Sequence, residues 1–496
     1  MKLSPARQSW PILKGLELIS RGKVRDMYRL KNVANLPNGF VLIVATDAIS
    51  IFDFVLNAIV PGKGISLNIQ SHFWLTYLES LGFQTHLVAA GSAIDSYLPE
   101  HLRNNIDLQS RAMVVKSVSM AEYEFVFRLC LMGSVKTEYA DTGKIYGHCL
   151  PDGLEEGDEF PYILDTPTTK AEDGHDLPVK PAIVRAKYPN AIYNMIQMVQ
   201  AVDAYAKTRG IKLFDTKLEG SDDILADEAF TTDSSRWVDL REWQASRKPE
   251  TGRKAPPPLD KELVRNAGRK LGINKLNPEK PEDVEAVHAI EWPSDIIEKT
   301  AQTYRYLPWR ITGMTNEKYL KTVLKVNVAK PSPKNIVVVC GSESDKPAVM
   351  NILSSIRAEH AHIDLHILSC HRNPDEVRTF VNNNCDKPEV IICVGGKAFA
   401  LPGIVDAWAH NFRIDTRVIG VGLGECGSQS FEAAKLSIEE IPGQPVIIDE
   451  LTGLAYMGKE GFILALDRAI FGELPPERPR TEKPPQISVW SNWRKC

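Results

Sequence analysis

An α+β domain followed by a doubly wound α/β domain is what this sequence predicts, on three observations. Up to residue 327, apolar runs mix with charged helical stretches and long polar loops. From Ile336 onward, short apolar strands alternate regularly with helical segments, the pattern of a parallel sheet covered on both faces. Between them Val328–Asn335 carries Pro331 and Pro333 and no apolar periodicity, so it reads as a linker. The domains are therefore expected at 1–327 and 336–472, with 328–335 between them and a Pro-rich tail at 473–496.

The elements follow in chain order. Segments around Lys23–Leu30 and Phe40–Thr46 are strand-like, as is Met113–Val118, expected to pair with Phe125–Cys130. Helices are predicted at Ala191–Thr208 and Ser294–Tyr306, where apolar residues recur at three- and four-residue spacing. Ser246–Pro258 looks like an exposed excursion. In the second half, strands are expected at Ile336–Cys340, Asp364–Leu368, Val390–Val394, Arg417–Val421 and Pro445–Ile448. The tail holds Pro475, Pro476, Pro479, Pro484 and Pro485, with Trp490 and Trp493 available to dock on a neighbouring subunit.

Composition removes whole classes. The 496 residues carry a net charge of −4, too acidic for a general nucleic-acid binder. No apolar run reaches the roughly 18 residues that span a bilayer, and the first residues lack the apolar core of a secretory signal. Eight cysteines are scattered without a CxxC pair, which fits reduced thiols in a cytoplasm better than disulfides or zinc. No internal repeat occurs.

Two constellations carry chemistry. In Ser20–Asp26, Gly22 lies between Arg21 and Lys23; such a turn can bring amides and a cation to a phosphate, or be a charged hairpin turn. It is not a Walker loop. Downstream, Asp215-Thr216-Lys217-Leu218-Glu219 precedes a turn and Asp227-Glu228. In a hairpin, Glu219 and Asp227 can hold Mg²⁺ through oxygen ligands, and Lys217 can stabilise a transferred phosphoryl group. The alternative is a surface hairpin of solvated charges.

These stretches occur in order with Ala45–Asp53, Pro61–Gly64, Gly133–Tyr139, Thr166-Pro167-Thr168-Thr169-Lys170-Ala171-Glu172, His175-Asp176 and Thr232-Asp233-Ser234-Ser235-Arg236-Trp237. Over residues 10–315 this order resembles the SAICAR synthetase family of purine biosynthesis. The resemblance implies that ATP phosphorylates the carboxylate of carboxyaminoimidazole ribonucleotide (CAIR), after which the amine of aspartate displaces phosphate. It implies nucleotide contacts at Arg21, Gly22, Lys23 and Lys116, Mg²⁺ carboxylates at Glu219 and Asp227, and catalytic roles for Lys217 and Asp215. Arg128, Ser134 and Arg236 would grip substrate phosphate or carboxylate, and Ser50 and Lys170 would contact aspartate or the imidazole. Two departures stand out: Arg128-Leu129-Cys130 where Arg-Gly-Tyr is common, and Leu218-Glu219-Gly220 where Phe-Glu-Phe-Gly is frequent.

In the second half, Gly341-Ser342-Glu343-Ser344-Asp345 opens a helix, as a phosphate site or as a plain N-cap. Ser369-Cys370-His371-Arg372 follows the second strand, where doubly wound folds collect ligands and a histidine can carry protons. With Gly395–Gly403 and Ile441–Val446, residues 335–471 resemble the AIR carboxylase family, which includes N5-CAIR mutases. That implies a three-layer, flavodoxin-like domain in which Ser342 and Asp345 bind the ribonucleotide and Ser369 places the carboxyl unit. His371 would shuttle the proton and Arg372 hold the phosphate, with no metal or biotin. Gly395–Gly403 is one residue longer than the usual Gly-Gly-Ala-Ala-His-Leu-Pro-Gly, with Phe399 near the histidine position and Cys370 where alanine is common.

The expectation is a bifunctional cytoplasmic enzyme using ATP and Mg²⁺, with small-molecule substrates and no nucleic-acid or membrane partner. CAIR would arise from aminoimidazole ribonucleotide (AIR) and carbon dioxide or from N5-CAIR. Homo-oligomerisation is expected through the C-terminal domain. The alternative keeps the ligase and makes that domain a non-catalytic ribonucleotide-binding or assembly module.

Overall fold

A computed structural model describes residues 2–30, 39–170, 176–248, 253–357, 359–383, 388–441 and 444–476. The first part holds β1 (Glu17–Arg21), β2 (Arg25–Leu30), β3 (Phe40–Ala45), the hairpin β4 (Ala48–Ile51) and β5 (Phe54–Ile59), β6 (Leu87–Ala90) and β7 (Ala112–Lys116). An antiparallel sheet runs β1-β2-β3-β7-β6. A second antiparallel sheet uses β8 (Tyr123–Cys130), while β9 (Lys144–Ile145) and β10 (His148–Cys149) form a small hairpin. It continues with β11 (Glu159–Asp165), β12 (Thr168–Thr169), β13 (Ile211–Gly220), β14 (Leu225–Ala226) and β15 (Ser235–Asp239). Its order is β11-β8-β13-β14, with β12 also on β8 and β15 also on β13.

Met113–Val118 does not pair with Phe125–Cys130 as expected. β7 pairs with β3 and β6, whereas β8 pairs with β11, β12 and β13. The chain crosses between sheets after Lys116, and Ala121 donates its N–H to the Gly220 carbonyl at 2.7 Å. Both strands are apolar because each lines a core, not because they are neighbours.

Two long helices brace these sheets. Pro189–Thr208 starts with proline at its first position and buries Ile192, Met195, Val199, Val202 and Ala206 at three- and four-residue spacing. Ser294–Thr312 extends beyond the expected Tyr306, with Pro308 inside it and Gly313 closing it at φ +73°. Trp74, from the helix Lys63–Ser80, stacks on Trp237 of β15 with centroids 5.9 Å apart in the central core.

After residues 325–333, which form neither helix nor strand, come β16 (Lys334–Cys340), β17 (Ala361–Ile367), β18 (Val390–Gly396), β19 (Arg417–Leu423) and β20 (Tyr456–Met457). All pair in parallel in the order β17-β16-β18-β19-β20. Ile336, Val338 and Cys340 pack into one core with Phe462 and Leu466, while Val337 and Val339 face another with Val377 and Val405. This alternation buries both faces, so the domain has three layers and the flavodoxin-like order. Pro445–Ile448 is not a full strand: it makes a single bridge, Ile419 with Ile447, and Tyr456–Met457 pairs with the next stretch of β19 in its place. Ala171, Glu172, His175, Cys385, Pro442, Gly443 and the tail from Glu477 on, with Trp490 and Trp493, lie outside the described residues, as does part of Ser246–Pro258.

Candidate active site

β13 organises the first site. Side chains alternate along a strand, so Asp215, Lys217 and Glu219 share one face. Register then sets their partners: Asp215 lies opposite Arg128 of β8 on one side and Arg236 of β15 on the other. Its Oδ2 accepts from Arg128 Nη1 at 3.3 Å and Arg236 Nη1 at 2.8 Å. Arg128 also donates through Nε to Thr166 Oγ1 at 2.9 Å. Burial pushes the Arg128 guanidinium below its ordinary pKa, although Asp215 opposes this. Gly133 passes beside Arg236 at φ +76°; a Cβ there would stand 2.6 Å from Arg236 Nη1, which only glycine avoids. Ser134 follows at the start of the helix Val135–Thr142.

Two residues along, Lys217 Nζ lies 2.5 Å from Glu124 Oε1 and 3.0 Å from Glu219 Oε1, while Lys170 Nζ lies 2.5 Å from Glu219 Oε2. Burial alone would lower the Lys217 ammonium, but Glu219 and Glu124 outweigh it and raise its pKa, so the cation persists at neutral pH. The β13–β14 hairpin pairs Glu219 with Ala226 and brings Asp227 next in the chain, at φ +58°. Asp227 Oδ2 accepts from Arg25 Nη2 at 2.8 Å, Oδ1 is bonded to Nη1, and Glu228 Oε1 lies 3.3 Å from Nη2. Burial would raise the Asp227 carboxyl; Arg25 wins and lowers it. His86 beside it is pushed down by burial to about 4 and is neutral.

Glu219 and Asp227 offer the hard oxygen donors that Mg²⁺ takes, usually one or two carboxylates plus phosphate oxygens. Among the described residues no group of three or more His, Cys, Asp or Glu side chains converges as an all-protein metal cage. The donor set therefore fits Mg²⁺ held jointly with a nucleotide, not a closed structural site.

The other expected residues have partners of their own. Lys23 Nζ pairs with Asp53 at 2.6 Å. Arg21 spends its guanidinium on the carbonyls of Arg7, Gln8 and Trp10, and Gly22 donates to the Arg25 carbonyl at 2.8 Å, closing the turn. Lys116 ends β7 with Nζ 3.5 Å from the Thr85 carbonyl. Ser50 lies on β4, opposite Val55. Sequence reasoning did not assign Arg25, Glu124 or Asp233. Asp233 accepts from Lys63 Nζ at 2.6 Å and from Tyr304 Oη at 2.5 Å, with Lys261 Nζ at 3.7 Å. Burial opposes its ionisation, yet Lys261 and Lys63 hold its carboxyl well below the usual range. The signal was its place in Thr232–Trp237; the partners lie far away in the chain.

In the second domain three loops meet at the carboxyl ends of the strands. Ser342 Oγ caps the turn Glu343–Asp345, and burial raises the Asp345 carboxyl. Ser369 Oγ accepts from Arg372 N at 3.4 Å, and Arg372 Nη2 donates to the Gly341 carbonyl at 3.1 Å, tying the loops after β16 and β17 together. His371 is exposed, with Nδ1 3.7 Å from Cys370 Sγ. The strand order reverses between β16 and β18, the place where such folds bind ligands. Phe399, 5% exposed, lies there: a Cβ on Gly341 would be 3.1 Å and one on Gly395 2.5 Å from its ring.

The sequence model of the SAICAR synthetase family matches residues 18–278, and that of the AIR carboxylase family matches residues 335–448. The phosphoribosylaminoimidazole-succinocarboxamide synthase of Saccharomyces cerevisiae is 33% identical over 315 residues, which are 60% of this chain and 95% of the yeast protein. That of Xylella fastidiosa strain M23 is 34% identical over 317 residues, 61% of this chain and 96% of the bacterial one. The solved SAICAR synthase of Saccharomyces cerevisiae complexed with SAICAR matches with 31% identity and a TM-score of 0.52, covering 62% of this chain and 98% of that one.

Proposed function

Because this chain belongs to the SAICAR synthetase family and carries an AIR carboxylase-family domain behind it, we propose that one domain makes CAIR and the other consumes it. In the ligase, a carboxylate oxygen of CAIR attacks the γ-phosphorus of ATP and ADP departs. The amine of aspartate then attacks the acyl carbon, phosphate leaves with the bridging oxygen, and the amine loses a proton. The observation that carries this reading is the row Arg128–Asp215–Arg236 beside Lys217, cationic groups held in place by carboxylates of the protein itself.

Arg128 and Arg236, with Ser134, take the substrate's phosphate or carboxylate, since planar guanidinium forks suit such anions. Asp215 orients both arginines. Lys217 faces the transferred phosphoryl group. Lys23 and Lys116 contact the nucleotide, while Arg21 and Gly22 shape the turn that presents Lys23. Ser50 and Lys170 serve aspartate or the imidazole. Glu219 and Asp227 would hold Mg²⁺, which neutralises charge on phosphate oxygens when bound.

In the second domain Ser342 and Asp345 hold the ribonucleotide, Arg372 its phosphate and Ser369 the carboxyl unit. His371 takes the proton released at the ring carbon as carbon dioxide, free or delivered from N5-CAIR, becomes attached. Reduced thiols support a cytoplasmic site of action; Cys130, Cys340 and Cys393 are free and buried. No helix among the described residues is long and apolar enough to cross a membrane. Exposed Ile463, Leu464 and Phe471 on the helix Gly458–Phe471 support homo-oligomerisation through this domain. One observation favours the second reading, a non-catalytic module: the Phe399 ring fills the space between Gly341 and Gly395. ADP release that requires both CAIR and aspartate tests the ligase; release indifferent to aspartate overturns it.

A further inference from the structure

The two parts of the chain meet along a built seam. Arg468, on the helix Gly458–Phe471, lays its guanidinium 3.7 Å from the ring centroid of Trp309 and donates through Nη2 to Glu450 Oε1 at 2.6 Å. Trp309 belongs to the helix Ser294–Thr312 of the first part. Arg241, on the helix Leu240–Ser246, reaches across to donate to the Gly453 carbonyl at 2.7 Å.

Glycines mark the approach on both sides. A Cβ on Gly453 would stand 1.8 Å from Arg241 Cζ, and one on Gly210 would stand 2.9 Å from the Glu450 carbonyl oxygen. Both have positive φ, +76° and +67°, so each side omits a side chain where the other enters. Arg310 locks the first side, donating to the Gly210 carbonyl at 2.6 Å and to Tyr306 Oη at 2.7 Å.

The seam touches the roots of the ligase site. β13 runs on from Gly210 to Asp215, Lys217 and Glu219. The helix bearing Trp309 also bears Tyr304, which donates to Asp233. We propose that the C-terminal domain is a positioning element of the ligase, docked through Arg468 on Trp309 and Gly453 on Arg241, so that it fixes the base of β13 and of the helix Ser294–Thr312. Displacements of about 1 Å far from the chemistry can cost ~10²-fold in rate, so a loosened root registers in turnover. The inference rests on the ligase reading given above.

The test uses the full chain with CAIR supplied. The double variant R241A/W309A alters only the ligase side of the seam, and R241A alone guards against misfolding. Expected is a loss of about tenfold in ligase kcat for the double variant, with KM for ATP unchanged and AIR carboxylation unaltered. R241K, which keeps an N–H donor for the Gly453 carbonyl, recovers what R241A loses. Unchanged ligase kcat in the double variant overturns the inference. A wild-type chain without ligation refutes the ligase reading instead; docking is then judged by unfolding, one transition supporting it and two opposing it.

Discussion

Replacing Arg25 by methionine removes a side chain that joins β2 of the first sheet to Asp227 and Glu228 beyond β14. Both partners are largely buried, Arg25 with 19% and Asp227 with 12% of its side chain exposed. Breaking a buried pair by deleting one partner costs about 3–5 kcal/mol, because the remaining charge is stranded. At about 2.1 cal/mol/K of unfolding entropy per residue, a domain of roughly 330 residues shifts by about 1.5 °C in Tm per kcal/mol, so a fall of about 5 °C is expected. The pH dependence has a definite sign. In the wild type Arg25 lowers the Asp227 carboxyl against burial, so this contribution is present above the unfolded pKa and lost as pH falls through the folded one. In R25M burial dominates and the carboxyl moves up, so acid relieves the variant while it weakens the wild type. Thermal unfolding between pH 5 and pH 8 measures this: the gap between the proteins narrows toward pH 5. The Mg²⁺ concentration for half-maximal ADP release rises, since Asp227 loses the group that keeps it ionised and aimed. A Tm within about 2 °C of wild type, with the same Mg²⁺ requirement, would show that Arg25 does not hold Asp227 in place.

Other outcomes follow from the same geometry. D227N is expected to weaken Mg²⁺-dependent ADP release severely; near-normal turnover at ordinary Mg²⁺ removes Asp227 from the metal site. H371N abolishes CAIR formation and leaves ligation of supplied CAIR intact, whereas persistent CAIR formation denies His371 its proton. Introducing alanine at Gly133 drives a Cβ into Arg236 and raises KM for CAIR more than for ATP; equal effects on both would detach Arg236 from CAIR. F399A distinguishes the two readings of the second domain. If the ring obstructs a ribonucleotide pocket, AIR binding strengthens in the variant; if Phe399 is only core, binding is unchanged and stability falls by about 3–5 kcal/mol.

The face of β13 is legible in sequence because Asp215, Lys217 and Glu219 recur at the strand period of two, and the β13–β14 hairpin follows from the turn between Gly220 and Leu225. The alternation that predicts the parallel sheet is equally legible, since every central strand must be apolar on both faces. What is not legible is register. That Arg128 and Arg236 flank Asp215 depends on β8 and β15 aligning on one rung, and no local pattern encodes that. Arg25 stands inside Ser20–Asp26, yet its partners lie some two hundred residues away. Met113–Val118 misleads for the opposite reason: proximity in sequence to Phe125–Cys130 suggests a hairpin, but the two strands belong to different sheets that meet across one shared core. Phe399 is conspicuous in sequence, whereas its position against Gly341 and Gly395 emerges only when β16 and β18 lie side by side.

The most direct measurement of the central claim is conversion of AIR by the purified chain with labelled bicarbonate, ATP, Mg²⁺ and aspartate. Label is expected in the succinocarboxamide product, above an enzyme-free control that corrects for spontaneous carboxylation, or in parallel from carboxyl-labelled N5-CAIR. Label that enters product only when ready-made CAIR is supplied, with neither AIR nor N5-CAIR converted, would contradict a chain that makes and consumes CAIR.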